Sequence, residues 1–252
     1  MKPTIFISHI STEHELATYL GAFIEDVFQG QARVFVSSDA QSLRTGDEWF
    51  PQIIQELRDC AALLLLCSKV SSERPWINFE AGVVAHRKDR MTAPPLIPLC
   101  YSGLDKGNLH SPLNEYQAMN LADKVQFQQV LKILSEATGL ELVDKDLDAF
   151  LADVRVIEAR YIFWDNCNEH FRILRGVLGE HYVARLNVEQ LNIEIPVRDY
   201  QKILASLEYL QNNQIILFKE TGQTYGPAKI IFILAKGERF DEITGHEYFE
   251  RS

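Results

Sequence analysis

The stretch of this chain best suited to chemistry is Pro75-Trp76-Ile77-Asn78-Phe79-Glu80. Proline suits the first turn of a helix, where its missing N–H costs nothing. The i, i+4 spacing then sets the Trp76 indole and the Glu80 carboxylate on one helix face. A carboxylate beside an aromatic wall can hold sugar hydroxyls and steady positive charge developing on a ribose ring, by analogy with glycoside hydrolysis. The plainer account places Glu80 in solvent, favoured by the helix dipole, and pattern alone leans that way. Trp76 serves equally well as a substrate wall or as a core anchor. Ser8 and His9 close the first apolar run; a serine there commonly caps the next helix, and it can also meet substrate hydroxyls or phosphate. His9 is not expected to act as a general base or metal ligand.

The elements that position these residues follow from periodicity. Thr4–Ser8 reads as a strand, and Leu16, Leu20, Phe23, Ile24 and Val27 keep helical spacing behind it. Ala32–Val36 is a second strand, Ser37–Glu48 a polar loop, and Trp49–Arg58 a helix. Ala61–Cys67 is an uninterrupted apolar strand, as expected where helices cover both faces of a sheet. Pro75–Arg87 is a helix, Leu96–Tyr101 a fourth strand, 102–120 irregular, and Asp123–Thr138 a helix closed by Gly139. This alternation predicts an α/β fold with a parallel sheet, whose ligands bind beyond the carboxyl ends of the strands. Beyond Gly139 the sequence predicts helix over 146–178, a short helix or turn at Asn187–Leu191, a helix at Val197–Asn212, and a hairpin of Ile215–Glu220 with Lys229–Leu234. Three helices and a hairpin are the order of a winged helix-turn-helix. The expected organisation is an N-terminal domain at 1–140, a helical linker at 141–168 and a smaller α+β, winged-helix-like domain at 169–252.

Composition narrows the partners. The net charge is −10. Residues 1–139 hold 12 Lys+Arg against 16 Asp+Glu and the remainder 13 against 19, so neither half has the positive surplus that a phosphate backbone demands. Nucleic acid is therefore an unlikely partner, and the C-terminal unit reads better as a protein-binding or self-associating module. The apolar runs fall short of the roughly 20 residues of a membrane span, and no leader precedes the first strand. Cys60, Cys67, Cys100 and Cys167 include no C-x-x-C pair, so neither zinc nor a disulfide framework is expected. The expected location is the cytoplasm, with no membrane contact. Neither G-x-x-x-x-G-K nor G-x-G-x-x-G occurs, which removes the P-loop and the dinucleotide fingerprint.

Four segments together resemble the bacterial Toll/interleukin-1-receptor (TIR) domains. Ile5-Phe6-Ile7-Ser8-His9 is similar to their opening strand. Val34-Phe35-Val36-Ser37, with Leu43, Gly46 and Trp49 after it, is similar to their second strand and BB loop. Ala61–Ser68 is similar to the third strand, and Trp76–Glu80 matches the W-x-x-x-E segment. The resemblance covers residues 3–139 and implies a flavodoxin-like sheet flanked by helices. It also implies that Glu80 is the catalytic residue of an NAD nucleosidase, a hydrolase cleaving the nicotinamide–ribose bond, with a cyclised ADP-ribose product possible. NAD is then a substrate, and no cofactor or metal is expected. Ser8, His9, Ser38, Asp39, Arg44 and Trp76 are the implied substrate contacts. Arg44 is the cation best placed for a pyrophosphate, although a solvated loop arginine fits the sequence too. Leu43, Gly46 and Trp49 belong to a loop that relatives use for assembly, with Gly46 suited to a positive-φ turn. The family's usual acidic residue after the second strand is replaced here by Ser37-Ser38. The implied role is a bacterial anti-phage immune effector activated by self-association. A non-catalytic TIR scaffold and a nucleoside deoxyribosyltransferase-like enzyme are the alternatives.

Overall fold

The computed structural model describes residues 2–37, 49–86, 93–224 and 229–244. The chain divides into two compact units, Met1–Arg160 and Tyr161–Ser252. In the first unit the elements run β1 (Thr4–Ser8), α1 (His14–Val27), β2 (Arg33–Val36), α2 (Trp49–Asp59), β3 (Ala62–Cys67), α3 (Pro75–Ala85), β4 (Leu96–Cys100), β5 (Met119–Asn120) and α4 (Lys124–Thr138). The strands form one parallel sheet in the order β2-β1-β3-β4-β5. This is the flavodoxin-like arrangement expected of the fold class.

Strand side chains alternate between the two faces of a sheet, and that alternation decides what each helix meets. Phe6 of β1 and Leu63, Leu65 and Cys67 of β3 pack in one core with Ile53 and Leu57 of α2 and Ile77, Ala81 and Val84 of α3. On the opposite face α1 lies close against β1 and β2. A Cβ added at Gly21 would stand 3.1 Å from Val34 Cγ1 and 3.7 Å from Ile7 Cδ1, so glycine gives this helix its seat. The rings of Phe23 on α1 and Phe127 on α4 stack against Phe150, at 3.9 and 5.1 Å between centroids. Phe150 belongs to α5 (Leu147–Leu178), a helix that begins within the expected linker. Gly139 takes φ 70° and ends α4 as the sequence predicts. The segment 102–120, expected to be irregular, also supplies β5; a strand of two residues leaves no period to read.

The second unit holds the later part of α5, then α6 (Tyr182–Val188), β6 (Leu191–Pro196), α7 (Val197–Asn212), β7 (Ile216–Thr224), β8 (Lys229–Lys236) and α8 (Phe240–Thr244). Its sheet is antiparallel, in the order β6-β8-β7. Phe171, Leu186, Ile203, Leu207, Phe232 and Phe240 share its core. The expected helix or turn at Asn187–Leu191 is corrected here, because the helix stops at Val188 and a strand starts at Leu191. Leu191, Ile193 and Ile195 alternate with Asn192 and Glu194, the two-residue period of a half-buried strand. Pro196 is tolerated because β6 lies at the sheet edge. The unit is thus helix, helix, strand, helix and hairpin, and matches the winged-helix order only loosely. Among the described residues no helix is long and apolar enough to cross a membrane.

Candidate active site

The strand order reverses between β1 and β3, since β1 pairs with β2 on one side and β3 on the other. The crevice beyond such a reversal is where open α/β sheets bind ligands. Ser8 ends β1 and Ser68 follows β3, so both stand at this mouth. Ser8 lies two residues beyond Phe6 and therefore shares the sheet face covered by α3. On α3, Ile77, Glu80, Ala81 and Val84 form the buried stripe. A glutamate thus occupies a helix position that periodicity reserves for the core.

The geometry follows directly. Glu80 is 0% exposed, and its Oε2 accepts a short hydrogen bond from the Ser8 hydroxyl. Its Oε1 has no hydrogen-bond partner among the described residues. Burial pushes the carboxyl up from its ordinary 4.5 to about 7; hydrogen bonds from Ser8 and then from the Trp76 side chain offset part of that rise. A buried acceptor without a donor is costly, and here it belongs to the carboxylate implied as catalytic. The solvent-exposed account of Glu80 is overturned by its burial. Trp76 is half-buried and meets Phe79 and Phe50, with centroids at 5.3 and 6.1 Å. Phe50 and Phe79 are 42% and 39% exposed, so an aromatic rim borders the buried carboxyl.

His9 is buried, and its Nδ1 lies 2.9 Å from the Ser37 hydroxyl at the end of β2. Burial and the nearby His14 lower its pKa to about 4, so it is a neutral imidazole at physiological pH. It stands beside Ser8 in the chain but bonds Ser37, the residue directly after β2. Ser38, Asp39, Leu43, Arg44 and Gly46 lie outside the described residues. Trp49 begins α2, and its side chain lies outside them as well.

Residues 5–134, slightly over half of the chain, match the family described as TIR domain. The chain belongs to the TIR-domain family. No curated protein matches its sequence. The TIR match spans β1 through α4 and so contains Ser8, Trp76 and Glu80.

Sequence reasoning missed a second buried acid within the TIR domain. Glu13 is 2% exposed. Its Oε1 accepts from the Ser68 hydroxyl at 2.9 Å and its Oε2 from the Ile10 N–H at 3.1 Å. Burial raises it from 4.5 to about 7, opposed first by a hydrogen bond from Tyr101 and then by those from the Ile10 N–H and Ser68. Glu13 holds the third position of a capping turn whose N-cap is Ile10, a residue that gives no capping signal in the sequence. Tyr101 also borders a cavity of about 400 Å³ beyond β4 and β5, lined further by Leu104, Asp105, Lys106, Gln126 and Glu158. All four cysteines are buried. Among the described residues no cluster of three or more His, Cys, Asp or Glu is arranged to hold a metal.

Proposed function

We propose that the TIR domain cleaves the nicotinamide–ribose bond of NAD, with Glu80 as the catalytic carboxylate. The observation that carries this reading is the Ser8–Glu80 pair at the strand-order reversal, with Glu80 Oε1 unpartnered and an aromatic rim beside it. Nicotinamide departs with the bonding electron pair and becomes neutral, leaving oxocarbenium charge on the ribose. An ionised Glu80 steadies that charge and accepts hydrogen bonds from ribose hydroxyls. Water then adds to give ADP-ribose and a proton, or a nucleophile within the same molecule closes a ring. Trp76 supplies the wall against which the substrate packs, and Ser8 holds the carboxylate. The cationic pyridinium of the substrate favours the ionised acid, so substrate binding itself prepares the group.

In this reading the protein is a bacterial immune effector that acts against phage by consuming NAD, and self-association through the TIR domain activates it. TIR domains commonly self-associate. The second unit then serves regulation through a protein partner. Arg198 and Lys202, the cations of α7, are both paired with Asp199, at 3.7 and 2.7 Å, which speaks against a nucleic-acid role for that helix. One observation favours a second reading, a TIR scaffold without catalysis: Glu80 is sealed from solvent. The deciding experiment incubates NAD with the full chain at rising concentration, beside Glu80→Gln, and resolves the products by chromatography. Nicotinamide released by the wild type and not by the variant is the expected result. Intact NAD at every concentration leaves the scaffold.

A further inference from the structure

We infer that Glu13 is a positioning residue for the Ser8–Glu80 pair, fastening the loop after β1 to the loop after β3. The inference rests on the reading of Glu80 as the reactive carboxylate. The segment that Glu13 closes begins at Ser8, and Glu13 Oε2 draws it in through the Ile10 N–H at 3.1 Å. Through Oε1 the same carboxyl holds Ser68 at 2.9 Å. Ser68 and Ser71 lock one another: the Ser68 N–H donates to Ser71 Oγ at 2.8 Å, and the Ser71 N–H to Ser68 Oγ at 3.1 Å. Ser71 Oγ also donates to the carbonyl of Leu66 in β3 at 3.1 Å. From this locked turn the chain passes through Ser71–Glu73 into α3, which carries Trp76 and Glu80. One buried carboxyl therefore sets the spacing between the element that ends in Ser8 and the element that presents Glu80.

A neutral side chain weakens this bonding. A glutamine that keeps its one oxygen on the Ile10 N–H turns its amide NH2 to Ser68, whose hydroxyl must then accept instead of donate, and the opposite orientation sets the NH2 against the Ile10 N–H, donor against donor. A carboxyl accepts from both. The titratable groups facing Glu13 are Tyr101 from the end of β4, which hydrogen-bonds it, and Cys67 from β3, whose thiol is pushed up mainly by burial, then by Cys100 and by Glu13. Neither carries a positive charge, and burial holds Glu13 near 7. Its hold on the loops is thus set by hydrogen bonds and not by an ion pair.

The test reads Glu80 itself. Protein labelled with 13C at the glutamate carboxyls is titrated by NMR, and the Glu80 signal is assigned by its loss in Glu80→Gln. In Glu13→Gln the Ser8–Glu80 bond slackens and the charged form of Glu80 loses support, so its midpoint rises by about one pH unit. Ser68→Ala, which removes one tether, moves the midpoint the same way by less and decides the matter if Glu13→Gln does not fold. A midpoint unmoved in the folded variants overturns the inference, even where melting temperature or turnover falls, because a merely structural role lowers those and leaves Glu80 alone. Where the wild type cleaves NAD, Glu13→Gln lowers kcat at least tenfold with KM nearly unchanged. A wild type that leaves NAD intact defeats the catalytic reading, while the titration still decides whether Glu13 positions the pair.

Discussion

Replacing Glu80 with glutamine is expected to stabilise the TIR domain, and to do so only once the pH rises above the ordinary range of a carboxylic acid. Glu80 titrates near 7 in the folded chain, against 4.5 for the free group, because burial disfavours its charge. Below 4.5 both states bind the proton and no difference exists. Between 4.5 and 7 the unfolded chain ionises while the folded chain resists, so the folded state holds more protons and stability falls as pH rises. That interval, at about 1.4 kcal/mol per pH unit, amounts to about 3 kcal/mol. Above 7 the penalty is complete and constant. Glutamine keeps an acceptor for the Ser8 hydroxyl and has no charge to bury. Glu13 contributes equally to both proteins and cancels in the comparison. Urea unfolding followed by tryptophan fluorescence, in a Trp164→Phe background so that Trp49 and Trp76 report, measures the difference. The variant should match the wild type near pH 4.5 and exceed it by about 3 kcal/mol at pH 8. A difference that is flat with pH, or that shrinks as pH rises, would refute the assignment of a buried acid whose charge is only partly offset by its hydrogen bonds.

Ser8→Ala removes the hydrogen bond that favours the ionised Glu80, so the acid limb of the NAD-cleavage profile shifts to higher pH; an unshifted limb with uniformly lower turnover would contradict this. Gly237→Ala puts a Cβ 2.2 Å from the carbonyl oxygen of Gln214, a backbone group that cannot turn away. It is expected to cost the second unit about 3 kcal/mol, read as a lower melting temperature, and an unchanged melt would show the contact to be relieved elsewhere.

Much of the first unit was legible because its signals are local. The apolar run in β3, the proline at the start of α3 and Gly139 after α4 each fix an element through the chemistry of a few neighbours. The burial of Glu80 was not among them: Ile77, Ala81 and Val84 mark its helix face as core, yet a charged residue invites the expectation of solvent, which its 0% exposure overturns. Glu13 was not legible. Its partners Ser68, Ser71 and Tyr101 come from other loops, and no short-range pattern announces them. In the second unit β6 gives only a faint signal, because its alternation is brief and ends in proline. The order of elements there departed from expectation at that strand.

The strand pairings also carry a consequence for how the chain acquires its shape. In the first unit Ile5 pairs with Ala62, and Leu63 with Leu96, so the middle of the sheet must wait for distant segments to meet. In the second, Thr224 faces Lys229 and Phe218 faces Leu234, contacts that need only a short loop to close. Sequence-distant contacts slow the search for the native arrangement. The second unit is therefore the one expected to reach its final form faster, while the strands of the first commit later.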